Sequence, residues 1–131
     1  MNRRKSVEIA GVTHGATPIP QGAVVDRFVF SSAIAGMDPE TGKIPEDPEK
    51  QVELVFQNVR RFMQAAGGKS EDIGRMNVYL QDERYRDLVN REWVKMFPDA
   101  GSRPARYAQV TNLREGALVQ IEITAVLSGT S

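Results

Sequence analysis

The segment Gly116-Ala117-Leu118-Val119-Gln120-Ile121-Glu122-Ile123-Thr124-Ala125-Val126 reads as a strand with two unlike faces. Successive side chains of a strand point to opposite sides, so Val119, Ile121, Ile123, Ala125 and Leu127 form a wholly apolar set. Leu118, Gln120, Glu122, Thr124 and Val126 form a mixed one. The apolar set is expected beneath helices. The mixed set is too apolar for open water and too polar for a dry core, which predicts a surface shared between subunits. Upstream, Ser102-Arg103-Pro104-Ala105-Arg106 leads into a further strand, Arg106 to Val110, expected to form a carboxy-terminal hairpin with the strand Ala117 to Leu127. A guanidinium and a carboxylate inside apolar strands are costly unless paired or used, so Arg106 and Glu122 stand out as a candidate site.

The remaining elements follow from periodicity and punctuation. Val7 to Ile9 is a short first strand, Thr13 to Pro20 an ordered loop, and Val24 to Ala33 a second strand with a weak period of two. Asp38-Pro39-Glu40-Thr41-Gly42 is a turn. Asp47 caps a first helix with Pro48 in its first turn, and Val52, Val55, Phe56, Val59, Phe62, Met63 and Ala66 recur at helical spacing until Gly67-Gly68. Met76, Val78 and Leu80 alternate with Asn77 and Tyr79 in a third strand. A second helix carries Tyr85, Leu88, Val89, Trp93 and Met96 and stops at Pro98. The order argues an α+β fold, with both helices on one face of a mostly antiparallel sheet.

Composition narrows the function. The 131 residues suit a single domain, 1–131, with residues 1–6 a flexible terminus in which Arg3-Arg4-Lys5 is a solvated cluster. Seventeen basic residues balance seventeen acidic ones, so no global field steers the chain to nucleic acid or a membrane. Cysteine is absent, and no apolar run reaches membrane length or makes a signal core, which gives the expectation of a soluble, cytoplasmic protein. No ligand cluster for a metal is seen, with a single histidine, His14. Gly68-Lys69-Ser70 echoes the end of a phosphate loop but follows a helix, and Met63 stands where the earlier glycine is required. There is no Gly-x-Ser-x-Gly elbow.

Several separated motifs carry a family resemblance: Phe28-Val29-Phe30-Ser31-Ser32, Met37-Asp38-Pro39-Glu40-Thr41-Gly42, Gln51 with Asn58 and Ala65-Ala66-Gly67, Asn90 before Trp93 and Phe97, Arg103-Pro104-Ala105-Arg106, and Gly116-Ala117-Leu118-Val119 with Glu122. From about Thr17 to Val126 the chain resembles the reactive intermediate deaminase (Rid, YjgF-type) family. The resemblance implies a chorismate-mutase-like fold, a homotrimer with its sheets facing inward, and a ligand site at each subunit interface. It also implies hydrolysis of enamine or imine intermediates to a 2-keto acid and ammonia, with no metal or organic cofactor. Ser32 and Ala33 would lend backbone amides to the ligand and Asn90 would support the pocket. The chain departs from the pattern at Ile19, where the best-known members carry a tyrosine, at Ser32-Ala33-Ile34-Ala35-Gly36, and at Ala108, often cysteine.

The residue types suit that chemistry. An arginine fork grips a carboxylate in two hydrogen bonds, so Arg106 fixes a 2-imino acid, and Glu122 holds water and moves protons. His14, a residue type suited to proton transfer, lies in the loop, with Ile19, that should approach the pocket. Each has a structural alternative: an Arg106–Glu122 ion pair, a hydrogen-bonded loop histidine, a helix-surface Asn90. Tyr107 should face away from Arg106 and pack in the core. Two other functions remain open, a non-catalytic sensor of small carboxylates and an endoribonuclease or translation inhibitor.

Overall fold

Residues 3–129 are described by a computed structural model. Strands β1 (Arg4–Val7), β2 (Gly22–Val25), β3 (Phe28–Ser31) and β4 (Ile34–Ala35) precede helix α1 (Pro48–Ala65). Strand β5 (Ile73–Leu80), helix α2 (Arg86–Met96) and strands β6 (Ala105–Val110) and β7 (Val119–Val126) follow. All strands share one sheet, ordered β1-β2-β3-β7-β5-β6, with β4 also paired to β7. Every pairing is antiparallel except β5 with β6.

The stripe read from α1 is the one it buries: Val52, Val55, Phe56, Val59, Phe62 and Met63 meet Val119, Ile121, Ile123 and Ala125 of β7 and Met76, Val78 and Leu80 of β5 in one core. Asp47 sits at the cap position, but its side chain makes no cap bond and only its carbonyl accepts from the Gln51 N–H, at 2.9 Å. At the other end Gly67 adopts φ +89° and the Gly68 N–H donates to the Met63 carbonyl at 2.9 Å, a left-handed exit that glycine makes without strain.

Helix α1 also buries two amides, each fully used. Gln51 Nε2 donates to the carbonyls of Pro45 (3.0 Å) and Gly116 (3.1 Å), while its Oε1 accepts from the Leu118 N–H (2.6 Å). Asn58 Nδ2 donates to the carbonyls of Ala35 and Met37, both at 2.9 Å, and its Oδ1 accepts from Arg61. These bonds fix the start of β7 and the course of β4. They require a close approach at Gly36, where a Cβ would stand 2.3 Å from the Gln51 carbonyl oxygen.

Five expectations are corrected. The strand Val24 to Ala33 is instead a hairpin, β2 and β3, followed by β4; its two-residue turn at Asp26 and Arg27 places Asp26 at φ +55°, with Arg3 bound to the Asp26 carboxylate at 2.9 Å. The strand expected at Val7 to Ile9 lies earlier, and residues 4–6, expected to be flexible, pair with residues 23–25. Tyr85 closes a short 3-10 turn (Glu83–Tyr85) before α2. No carboxy-terminal hairpin forms, because β5 lies between β6 and β7.

Candidate functional site

The sheet separates the candidate residues into two groups. β5 aligns Met76 with Arg106 on one side and Ile123 on the other, so Arg106 shares the helix-covered face with buried Met76 and Ile123. There its Nη2 donates to Asn90 Oδ1 at 2.7 Å and the guanidinium lies 5.0 Å from the centre of the Trp93 ring, which in turn meets Phe97 edge-on at 4.8 Å. Asn90 and Trp93 lie three residues apart on α2, the spacing that puts both on one side of a helix. Burial and the nearby cation of Arg86 hold the Arg106 pKa below its ordinary value. None of these contacts supplies a negative charge, and Arg106 forms no ion pair among the described residues.

One register position on, Glu122, Asn77 and Tyr107 line up across β7, β5 and β6 on the face that the helices leave uncovered. Glu122 Oε1 accepts from Asn77 Nδ2 at 3.0 Å and from the Tyr79 hydroxyl at 2.6 Å. That short bond to the carboxylate, with burial, the Glu122 charge and Tyr107, pushes the Tyr79 pKa up to about 12. No hydrogen bond reaches Glu122 Oε2 among the described residues. Arg106 and Glu122 thus lie on opposite faces of their own sheet and do not pair. Tyr107 does face away from Arg106, but its side chain is 56% exposed and joins no core.

Ser32 and Ala33 come to Glu122 through a bulge. Between the pairs Phe30↔Thr124 and Ile34↔Ile121, residues 31–33 on one side oppose only residues 122 and 123 on the other. The extra residue re-aims the backbone beside Glu122. The Ser32 N–H is spent on the Gln21 carbonyl (2.8 Å) and its hydroxyl on the Pro20 carbonyl (2.9 Å), so Ser32 offers no backbone donor. The Ala33 N–H has no partner among the described residues. His14 is half-buried beneath this bulge: its Nε2 lies 3.3 Å from the Ala33 carbonyl and its Nδ1 3.2 Å from Gln21 Nε2. A neutral ring protonated on Nε2 satisfies both contacts, donating to Ala33 and accepting from Gln21. Ile19 projects from the same loop, 47% exposed. Hydrogen bonds therefore tie His14, Ser32 and Ala33 together at the bulge that opposes Glu122, with Ile19 beside Pro20 in the same loop, while Arg106 and Asn90 form a separate group.

Sequence reasoning missed Asn77 and Tyr79 as partners of Glu122, and Trp93 as the support of Arg106. The signal for the first two was present in the alternation of the third strand. It became meaningful only once β5 was found to pair with β7. Among the described residues no group of three or more His, Cys, Asp or Glu is placed to hold a metal, and no helix is long and apolar enough to cross a membrane. A cavity of about 310 Å³ lies elsewhere, between the end of α2 and the start of β6, lined in part by Phe97, Asp99 and Arg103.

Two helices on a mostly antiparallel sheet, with an unpaired guanidinium on the edge strand and a hydrogen-bonded carboxylate on the open face, define a YjgF-type α+β protein. Residues 14–127 match a family profile described as Endoribonuclease L-PSP. A RutC family protein of Aquifex aeolicus is 36% identical over 110 residues, 83% of this chain and 88% of that protein. Reactive Intermediate Deaminase A, chloroplastic, of Arabidopsis thaliana is 32% identical over 84% of this chain and 59% of its own length. The crystal structure of E. coli TdcF with bound serine superposes with a TM-score of 0.85 at 28% identity, covering 95% of this chain and 99% of that one. The chain belongs to the reactive intermediate deaminase (Rid, YjgF-type) family.

Proposed function

We propose that this chain hydrolyses a 2-imino acid, or the tautomeric 2-amino unsaturated acid, to the 2-keto acid and ammonia, at a site assembled between copies of itself. The observation that carries the reading is Arg106: a partly buried guanidinium oriented by an amide and an indole, with its charge unspent. Such a group is a receptor for a carboxylate, which it binds through two parallel hydrogen bonds. Glu122 is the acid/base group. The water oxygen bonds to the C=N carbon while one water proton passes to Glu122 and on to nitrogen. The carbinolamine then collapses as its hydroxyl proton moves to nitrogen and ammonia leaves with the C–N electron pair. Because Arg106 and Glu122 occupy opposite faces of one sheet, a substrate that meets both takes its carboxylate anchor from one copy and its acid/base from another. A homotrimer, the assembly the resemblance implies, satisfies this.

The reading is tested by generating imino acids in place with an amino-acid oxidase and following keto-acid release against a trapping amine. The wild type is expected to accelerate release and Arg106→Ala to abolish the effect. Saturable carboxylate binding without turnover would replace the enzyme by a sensor. RNA cleavage lost with Arg106→Ala and weakened by salt would favour the ribonuclease reading instead.

A further inference from the structure

Resting on that deaminase reading, we propose that Tyr79, with Asn77, is the positioning residue that makes Glu122 a competent base, supplying from β5 a phenolic hydroxyl where the loop carries Ile19. Both donors converge on the same oxygen: Tyr79 at 2.6 Å and Asn77 at 3.0 Å reach Oε1, and neither touches Oε2. The Tyr79 distance is that of an O–H···O⁻ bond, shorter and stronger than one between neutral groups. Loading one oxygen fixes the carboxylate plane and leaves the other lone pairs aimed at the open face, where a water is to be held. The elevated Tyr79 pKa agrees, since the phenol stays protonated and able to donate throughout the working range.

The surroundings of Glu122 leave this task to β5. Tyr79 and Asn77 face it from β5, where Arg75, paired with Thr124 and two residues before Asn77, puts a cation on the same face, and Tyr107 stands beyond them on β6. On the β3 side the neighbours are Phe30 and Ser32, and along β7 they are Gln120 and Thr124, none of which titrates in the working range; Arg106 lies on the opposite face. Among the described residues Asn77 and Tyr79 make no other side-chain hydrogen bond.

The test compares wild type, Tyr79→Phe and Asn77→Ala in two measurements. The first is the carboxyl carbon NMR spectrum of glutamate-labelled protein at pH 7, with the Glu122 signal identified by its loss in Glu122→Gln. Tyr79→Phe is expected to move the Glu122 signal, and Asn77→Ala to move it the same way by less, as each removes a donor from Oε1. The second is imine turnover. Tyr79→Phe is expected to lower kcat about tenfold with KM changed less than about twofold. Asn77→Ala serves as the second variant should the phenylalanine protein fold poorly. An active wild type with the Glu122 signal and kcat unmoved in the variants would overturn the inference and leave the deaminase reading intact. A wild type inert towards every imine would overturn both.

Discussion

At the residue scale, the informative fact about Arg106 is what orients it. Asn90 and Trp93 fix the plane of the guanidinium and leave its charge without an ion-pair partner among the described residues. Lysine would keep the charge but lose the fork and the stacking, so Arg106→Lys is expected to lower kcat/KM about 10²-fold, read from the keto-acid assay, the cost of about two hydrogen bonds to a charged group. Tyr79 gives a prediction for stability against pH. Its folded pKa of about 12 exceeds the unfolded phenol's ~10, so its contribution is complete below pH ~10 and fades as pH rises towards 12. Denaturant unfolding should therefore show wild type losing its advantage over Tyr79→Phe across that window. Equal slopes for the two proteins would refute it. Arg106 and Glu122 were legible in the sequence because a charge in an apolar strand is conspicuous. Tyr79 and Trp93 were not, because an aromatic at strand or helix spacing reads as packing until its neighbour across the sheet is known.

At the scale of elements, turn chemistry and strand order decided what could be read. The hairpin of β2 and β3 is turned by Asp26 and Arg27 without the glycine or asparagine that usually signals a tight turn, so the sequence ran on as one strand. Asp26 holds φ +55°, a region that asparagine tolerates and β-branched residues do not. Asp26→Val is expected to destabilise the fold by about 1–2 kcal/mol, with the loss of an exposed ion pair to Arg3 adding little. Asp26→Asn should stay close to wild type in the same thermal melts. A valine variant as stable as wild type would mean the turn relaxes freely. The helices were legible to within a turn because their stripes and their glycine or proline stops agree. The last two strands were legible as elements but not as neighbours, since nothing local announces that β5 enters between them. The buried Gln51 is the matching case for side chains: its three bonds join α1 to residues 45, 116 and 118. Gln51→Leu leaves the Leu118 N–H unpaired and is expected to cost about 3 kcal/mol in denaturant titration.

At the scale of the whole molecule, the uncovered face of the sheet is the feature that asks for a partner. Phe28, Phe30, Val126 and Tyr107 are each more than two-fifths exposed on it, beside Glu122 and Tyr79. The alternation in β7 made that mixed face readable from the sequence. That Arg106 turns to the other face was not, because it depends on which neighbour aligns with Met76. If copies cover this face, Phe28→Asp together with Val126→Asp should yield monomers in sedimentation and lose turnover while the helical circular dichroism persists. An active monomer would remove the need for a second copy. The most direct test mixes Arg106→Ala and Glu122→Ala proteins after mild dissociation and reassembly. A site with its anchor and its base on different copies regenerates intact sites, so two inactive proteins should together recover about a quarter of wild-type keto-acid release. No recovery from a demonstrably mixed assembly would contradict the account, because it would place anchor and base on the same copy.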